Sequence, residues 1–238
     1  MKKLFIIALL ALPFSCSTLQ QVAGAYPVSN GNVQQSQIAE GLKQALTIGT
    51  QNSTSRLSAV DGFFKDAAIK ILLPPEAQNV EKTLRSFGLG SLVDKTILSL
   101  NRAAEDAAKS ATPIFVNAIK QMTITDALGI LQGGNFAATD YFKTKTTSDL
   151  TAAFAPVIQK SLDKVDATKY WTDMSTAYNK VAFKKIPTDL NAYATQKAID
   201  GIFYEVGLEE QKIRKDPAAR VTDLLKNVFG SKQAKVNQ

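Results

Sequence analysis

Three observations predict an all-α fold, a single bundle of about ten helices. Apolar residues recur three and four apart almost throughout the 238 residues, strict period-two alternation is nearly absent, and helix starts and stops are well marked.

The first helix is predicted over Gln37 to Ile48 and the second over Thr54 to Ala67, each from its periodic apolar stripe. The apolar segment IKILLPP follows and must end at Pro74 and Pro75; read as a strand it would have no partner. Helices are then predicted at Glu76 to Phe87, Leu92 to Thr112, Ile114 to Gln121, Ile124 to Leu131, Phe136 to Lys143, Ser148 to Val165, Lys169 to Val181, Leu190 to Lys215 and Ala218 to Phe229. Ser91 with Asp94, and Thr123 with Asp126, have capping-box spacing with Asp in place of Glu. Asp216 before Pro217 reads as an N-cap and first-turn proline, and Gly88, Gly133, Gly134 and Gly230 read as terminators. Pro113 cannot donate to the carbonyl of Lys109, so its helix should kink or break there.

On a helical wheel, Val93, Ile97, Leu100, Ala104, Ala107, Ala108 and Ala111 share one face of the Leu92 to Thr112 segment. Asp94, Asn101, Arg102, Glu105, Asp106 and Lys109 share the other. The alanines would let a neighbouring helix approach closely, which places this helix near the bundle centre. Leu98 interrupts the polar face, so something should cover part of it.

Ahead of the bundle, MKKLFIIALLALPFSC reads as a secretion leader, with Lys2 and Lys3 before an apolar run from Leu4 to Leu12. As a helix that run would span only ~14 Å, too short for a bilayer core. LPFSC resembles a bacterial lipobox, although Leu12 stands four residues before the cysteine instead of three. Cleavage is therefore expected before Cys16, leaving a lipidated cysteine, with cleavage after Ala25 as the alternative because Ala23 and Ala25 form a small-x-small pattern. The expected layout is a signal peptide at 1–15, a lipidated cysteine and flexible tether at 16–36, a helical domain at 37–230 and a disordered tail at 231–238. Several acyl chains, palmitate among them, would hold such a protein firmly on a membrane.

Cys16 is the only cysteine and the chain has no histidine. The bundle therefore lacks disulfides, Cys-His and Ser-His-Asp nucleophiles, the usual zinc sites and any histidine switch. Neither metal nor cofactor is expected. Removing the leader takes away two lysines and no acids, so the net charge falls from +7 to +5. A basic envelope protein suits anionic lipid or wall polymer as partner, and no motif interleaves aromatic and basic residues as nucleic-acid binding would require.

The stretches NRAAEDAAKSATPIF, AIKQMTITDALGILQGGNFAATDYFKTKT and EEQKIRKDPAARVTDLLKNVFG closely resemble the bacterial family catalogued as domain of unknown function 4197, over Ile38 to Gly230. The resemblance implies a secreted or lipoprotein start, since many family members carry a cysteine followed by a sequence like STLQQVA. It implies no activity. Ser17 after the cysteine resembles the outer-membrane sorting signal of other Gram-negative lipoproteins.

Three constellations are candidate ligand sites. In the first, Asn101, Arg102, Glu105 and Asp106 lie on one helix face, where Arg102 has the planar fork that clamps a carboxylate or phosphate. The second joins Glu209, Glu210, Arg214 and Arg220 near the C-terminal end, and the third is Thr139, Tyr141, Trp171, Tyr178 and Asn179, whose aromatic bodies and polar tips suit a glycan or head group. Each also fits an ordinary structural role: a solvated face, an ion-pair network, or core residues with one satisfied hydrogen bond. GGN at Gly133 to Asn135 lacks the residues of a phosphate loop. Two leading functions follow, ahead of a lipid carrier with a continuous apolar cavity between its helices. One is an envelope-tethered binding or scaffold domain for a partner protein, lipid or wall polymer. The other is a hydrolase of envelope glycan or lipid using Glu105, Asp106 or Glu210 as proton donor, which needs two carboxylates in one cleft.

Overall fold

The computed structural model describes residues 35–88, 90–164, 167–181, 183, 185–216, 219–220 and 222–230. Cys16, both cleavage positions, the tether through residue 34 and the tail at 231–238 lie outside them.

Among the described residues there are nine α-helices, one short 3-10 turn and no strand: α1 (Gln35–Ser58), the turn at Pro75–Ala77, α2 (Gln78–Ser86), α3 (Gly90–Ala108), α4 (Ala111–Gln121), α5 (Ile124–Gln132), α6 (Ala137–Asp163), α7 (Ala167–Val181), α8 (Leu190–Lys215) and α9 (Asp223–Gly230). The chain is an all-α bundle. Helix α6 packs on α3 and α8, and α1 crosses α8, α4, α5 and α9. Phe115, Phe142 and Phe203, from α4, α6 and α8, meet edge to face in the core.

Two predicted breaks are absent for one physical reason. Hydroxyl-rich runs, which would ordinarily favour turns, are absorbed here by bonding back to the helix. In α1, Thr47, Thr50 and Ser53 donate to the carbonyls of Lys43, Leu46 and Gly49. In α6, Thr144, Thr146, Thr147 and Thr151 do the same to Asp140, Phe142, Lys143 and Thr147. The predicted pairs at 37–67 and 136–165 thus each contain one long helix.

The predicted second helix ends early, at Ser58, where the chain turns through Asp61 in the left-handed region (φ 70°). That turn drives Phe63 into the core, where Gly201 of α8 makes room: a Cβ on Gly201 would stand 2.5 Å from the Phe63 ring. Gly201→Ala is expected to lower stability by up to about 2 kcal/mol, because the clash outweighs the ~1 kcal/mol by which alanine favours a helix. An unchanged urea midpoint would show that Phe63 moves aside freely.

The break near Pro113 comes one turn early, at Lys109 and Ser110. Pro113 then sits in the first turn of α4, where no helical N–H is needed. Thr123 and Asp126 form the expected capping box. Ser91 does not cap α3, which already includes it, and Asp94 pairs with Arg85 instead. Asp216 terminates α8 rather than starting the last helix, whose first residue is Asp223 and not Ala218.

In α3 the wheel's apolar face is buried throughout, and the alanines admit neighbouring helices as anticipated. Its polar face is covered in part, at Asn101 and Glu105, by the non-helical strap at residues 59–73. No single described helix is long and apolar enough to cross a membrane. The sharply bent pair α4 and α5 passes by length and composition, yet both helices turn their apolar sides into the core.

Candidate functional site

The first predicted constellation clasps the strap. Asn101, fully buried, accepts from the N–H of Ile71 at 2.9 Å and donates to its carbonyl at 2.8 Å, so one amide satisfies both backbone groups of a residue with no secondary structure. Glu105, 4 % exposed, accepts from the N–H groups of Phe63 and Phe64, both at 3.2 Å. Arg102 bridges the Glu105 carboxylate and Asp61, at 2.7 Å each. Lys65 and Arg102 hold the Asp61 carboxyl below its usual range. Asp106 points outward to Lys109.

The second constellation works as a helix cap in trans. Phe136 has no side chain able to cap α6, and Glu210 of α8 supplies the missing acceptor: its carboxylate takes the N–H groups of Ala138 and Thr139 and the Thr139 hydroxyl, at 2.8–3.0 Å. Arg214 pairs with Glu210 at 2.8 Å and donates to the carbonyl of Ile130 at 2.8 Å, at the end of α5. One buried ion pair therefore secures both sides of the link between α5 and α6. Arg220 donates to the carbonyls of Ile213 and Arg214 at the end of α8. Glu209 bonds Asn52 and Lys212.

The third group is dispersed. Thr139 belongs to the Glu210 cap. On α7, Asn179 clasps the N–H and carbonyl of Ile186 as Asn101 clasps Ile71, and Trp171 donates to the carbonyl of Pro187 at 2.8 Å. Tyr178 is half-buried against the core. Tyr141 alone faces a cleft.

Asn101, Arg102 and Glu105 thus stand together, and Arg214 and Arg220 form a separate set. Glu210 and Arg214 line a void of about 20 Å³, room for one water at most. Asp106 edges an open groove of about 360 Å³ with Lys160 and Lys164. None of the three cavities described holds two of Glu105, Asp106 and Glu210.

The remaining cleft, about 240 Å³, opens between α4, α5 and α6. Ile114 and Ala118 form its apolar floor, and Asn117, Gln121, Asp126, Tyr141, Lys145 and Asp149 bring polar groups to it. Asn117 and Gln121 lie one turn apart on α4, and Lys145 and Asp149 one turn apart on α6, so each pair points to the same side. Burial raises the Tyr141 phenol, which stays a neutral donor and reaches the Ala118 carbonyl only at 3.4 Å. The backbone and hydroxyl of Thr123 hold the Asp126 carboxyl below its usual range, so it is ionised. Lys145 and Asp149 make no hydrogen bond or ion pair among the described residues; the Lys145 ammonium lies 5.9 Å from the Tyr141 ring centre. In the sequence only Tyr141 of these residues marks a site, and Asp126 reads solely as a cap. The overlooked signal was the two polar i, i+4 pairs flanking that tyrosine.

One further carboxylate escaped the sequence. Glu205, 2 % exposed, bonds Arg56 through one oxygen at 2.8 Å while the other has no partner among the described residues. Burial raises its pKa, against the pull of Arg56. A raised folded-state pKa favours the protonated fold, so this group's contribution is full below the ordinary carboxylate range and is lost as pH rises through the folded pKa. Glu205→Gln, neutral at every pH, should therefore gain stability relative to the parent between acid and neutral pH. Paired urea titrations across that range check it; a constant difference would contradict it.

These features define a helical bundle domain whose conspicuous polar residues clasp its own backbone. The chain belongs to the family described as Protein of unknown function (DUF4197), which matches residues 32–230. No curated protein and no solved structure matches it.

Proposed function

We propose that this protein is a non-enzymatic binding domain of the cell envelope, tethered to a membrane through lipidated Cys16 and receiving its ligand in the cleft between α4, α5 and α6. The observation that carries the reading is a contrast in how polar groups are used. Glu105 and Glu210, the buried carboxylates best placed by sequence to do chemistry, are filled with backbone N–H groups and arginine. The cleft keeps a carboxylate, an ammonium and parts of two amides uncommitted. A proton donor needs a raised pKa near neutrality, whereas Asp126, a cleft carboxylate, is shifted the other way. The leader, the polar stretch after Cys16 and the basic balance support the envelope address.

Photo-crosslinking in cells tests this reading. A crosslinker at Gln121, in the cleft, should capture a discrete species that one at Gln196, on the outside of α8, does not. Equal capture from both positions would overturn it. A mature N-terminus beginning at an acylated Cys16 is the expected mass, and one beginning at Tyr26 would remove the tether.

A further inference from the structure

The chemistry of the same cleft narrows its ligand, on the reading that it is the binding site. Its rim offers two carboxylates, from Asp126 and Asp149, one ammonium, from Lys145, and amide groups of Asn117 and Gln121, around the phenol of Tyr141. Ionised carboxylates only accept hydrogen bonds, ammonium only donates, and amides do both. A phosphate would meet two carboxylates, while a bare ammonium ligand would meet Lys145, which already lies near the Tyr141 ring. A hydroxyl both donates and accepts, so one molecule bearing several hydroxyls satisfies every one of these groups without carrying charge. The apolar edge of such a ring would rest on Tyr141, Ile114 and Ala118. The volume of about 240 Å³ lies under the roughly 300–1,000 Å³ of sites for drug-sized molecules, which suits one sugar ring of a longer chain entering from the open side.

We infer that the cleft between α4, α5 and α6 binds a neutral saccharide, one ring at a time, through Asn117, Gln121, Tyr141, Lys145 and Asp149. Asp126 is the fixed acceptor: Thr123 holds it in place through its backbone N–H at 2.9 Å and its hydroxyl at 2.7 Å, so it needs no rearrangement to receive a hydroxyl. Asp149 and Lys145 are the adjustable pair on the opposite wall.

The test is an amide-resolved NMR titration of the full chain in a detergent without a sugar head group. The probes are the fully N-acetylated chitin trisaccharide, maltotriose, glycerol phosphate and a lysine tripeptide. Saturable shifts with either trisaccharide at Asn117, Gln121, Lys145 and Asp149 are expected, with little dependence on salt because the ligand is neutral. Asp149 is exposed, so Asp149→Ala should keep the fold and weaken binding about tenfold, the loss of one charge-assisted hydrogen bond. Shifts at these residues with glycerol phosphate or the tripeptide and with neither saccharide would overturn the saccharide assignment while leaving the binding-domain reading intact. No shift in the cleft with any probe, together with equal crosslinking from Gln121 and Gln196, would overturn both.

Discussion

Glu210→Ala should cost about 3–5 kcal/mol of stability, because it strands the buried Arg214 guanidinium and leaves two N–H groups of α6 without acceptors. Against the roughly 5–15 kcal/mol that holds a domain together, that loss brings the fold near its limit. Urea unfolding followed by circular dichroism would measure it. Glu210→Gln keeps one acceptor and should lose less. The double variant Glu210→Leu with Arg214→Met should recover part of the loss, since an apolar pair of similar volume leaves no charge unpaired. A double variant no better than Glu210→Ala would mean that the unpaired N–H groups of α6, and not the stranded guanidinium, carry the cost.

The second large effect is expected at Glu105. Glu105→Ala removes the acceptor shared by the N–H groups of Phe63 and Phe64, at ~1–3 kcal/mol for each group left unpaired, so about 2–6 kcal/mol in all. The change should be local before it is global. Hydrogen exchange across residues 59–73 should quicken strongly while α6 and α8 keep their protection. Arg102 remains paired with Asp61 and reaches solvent, so it adds little to the cost. If the strap keeps its protection, Asn101 and the packing of Phe63 against Gly201 hold it without Glu105.

Much of the fold was legible because local signals and tertiary packing agree over its long helices. Helix α8 runs from Leu190 to Lys215 as its periodicity predicts, and the Thr123 and Asp126 box starts α5. The misread boundaries have a common origin. Threonine and serine runs at 47–54 and 144–151 carry turn-like composition, but their hydroxyls find acceptors one turn back, a choice that surrounding packing enforces. At the C-terminal end Asp216 had two possible neighbours, and the chain uses it to close α8.

The polar residues were harder to read. A helical wheel assigns Asn101 and Glu105 to the solvent side because it knows nothing of the chain that returns over them. Only Leu98, out of place on that side, pointed to a covering segment. The same limit applied to Glu210 and Arg214, whose partners at Ala138, Thr139 and Ile130 lie some 70 to 84 residues away in sequence. The cleft between α4, α5 and α6 is assembled from three helices, and no short motif marks it.

The central claim is that the strap and cap residues serve the fold while the cleft serves the ligand. A hydrogen-exchange footprint of the full chain, recorded with and without detergent-solubilised envelope material, tests it most directly. Added protection is expected at residues 114–126 and 141–149, with none at 59–73 or 210–220. Protection confined to the strap or to the Glu210 and Arg214 region, with the cleft unchanged, would contradict it.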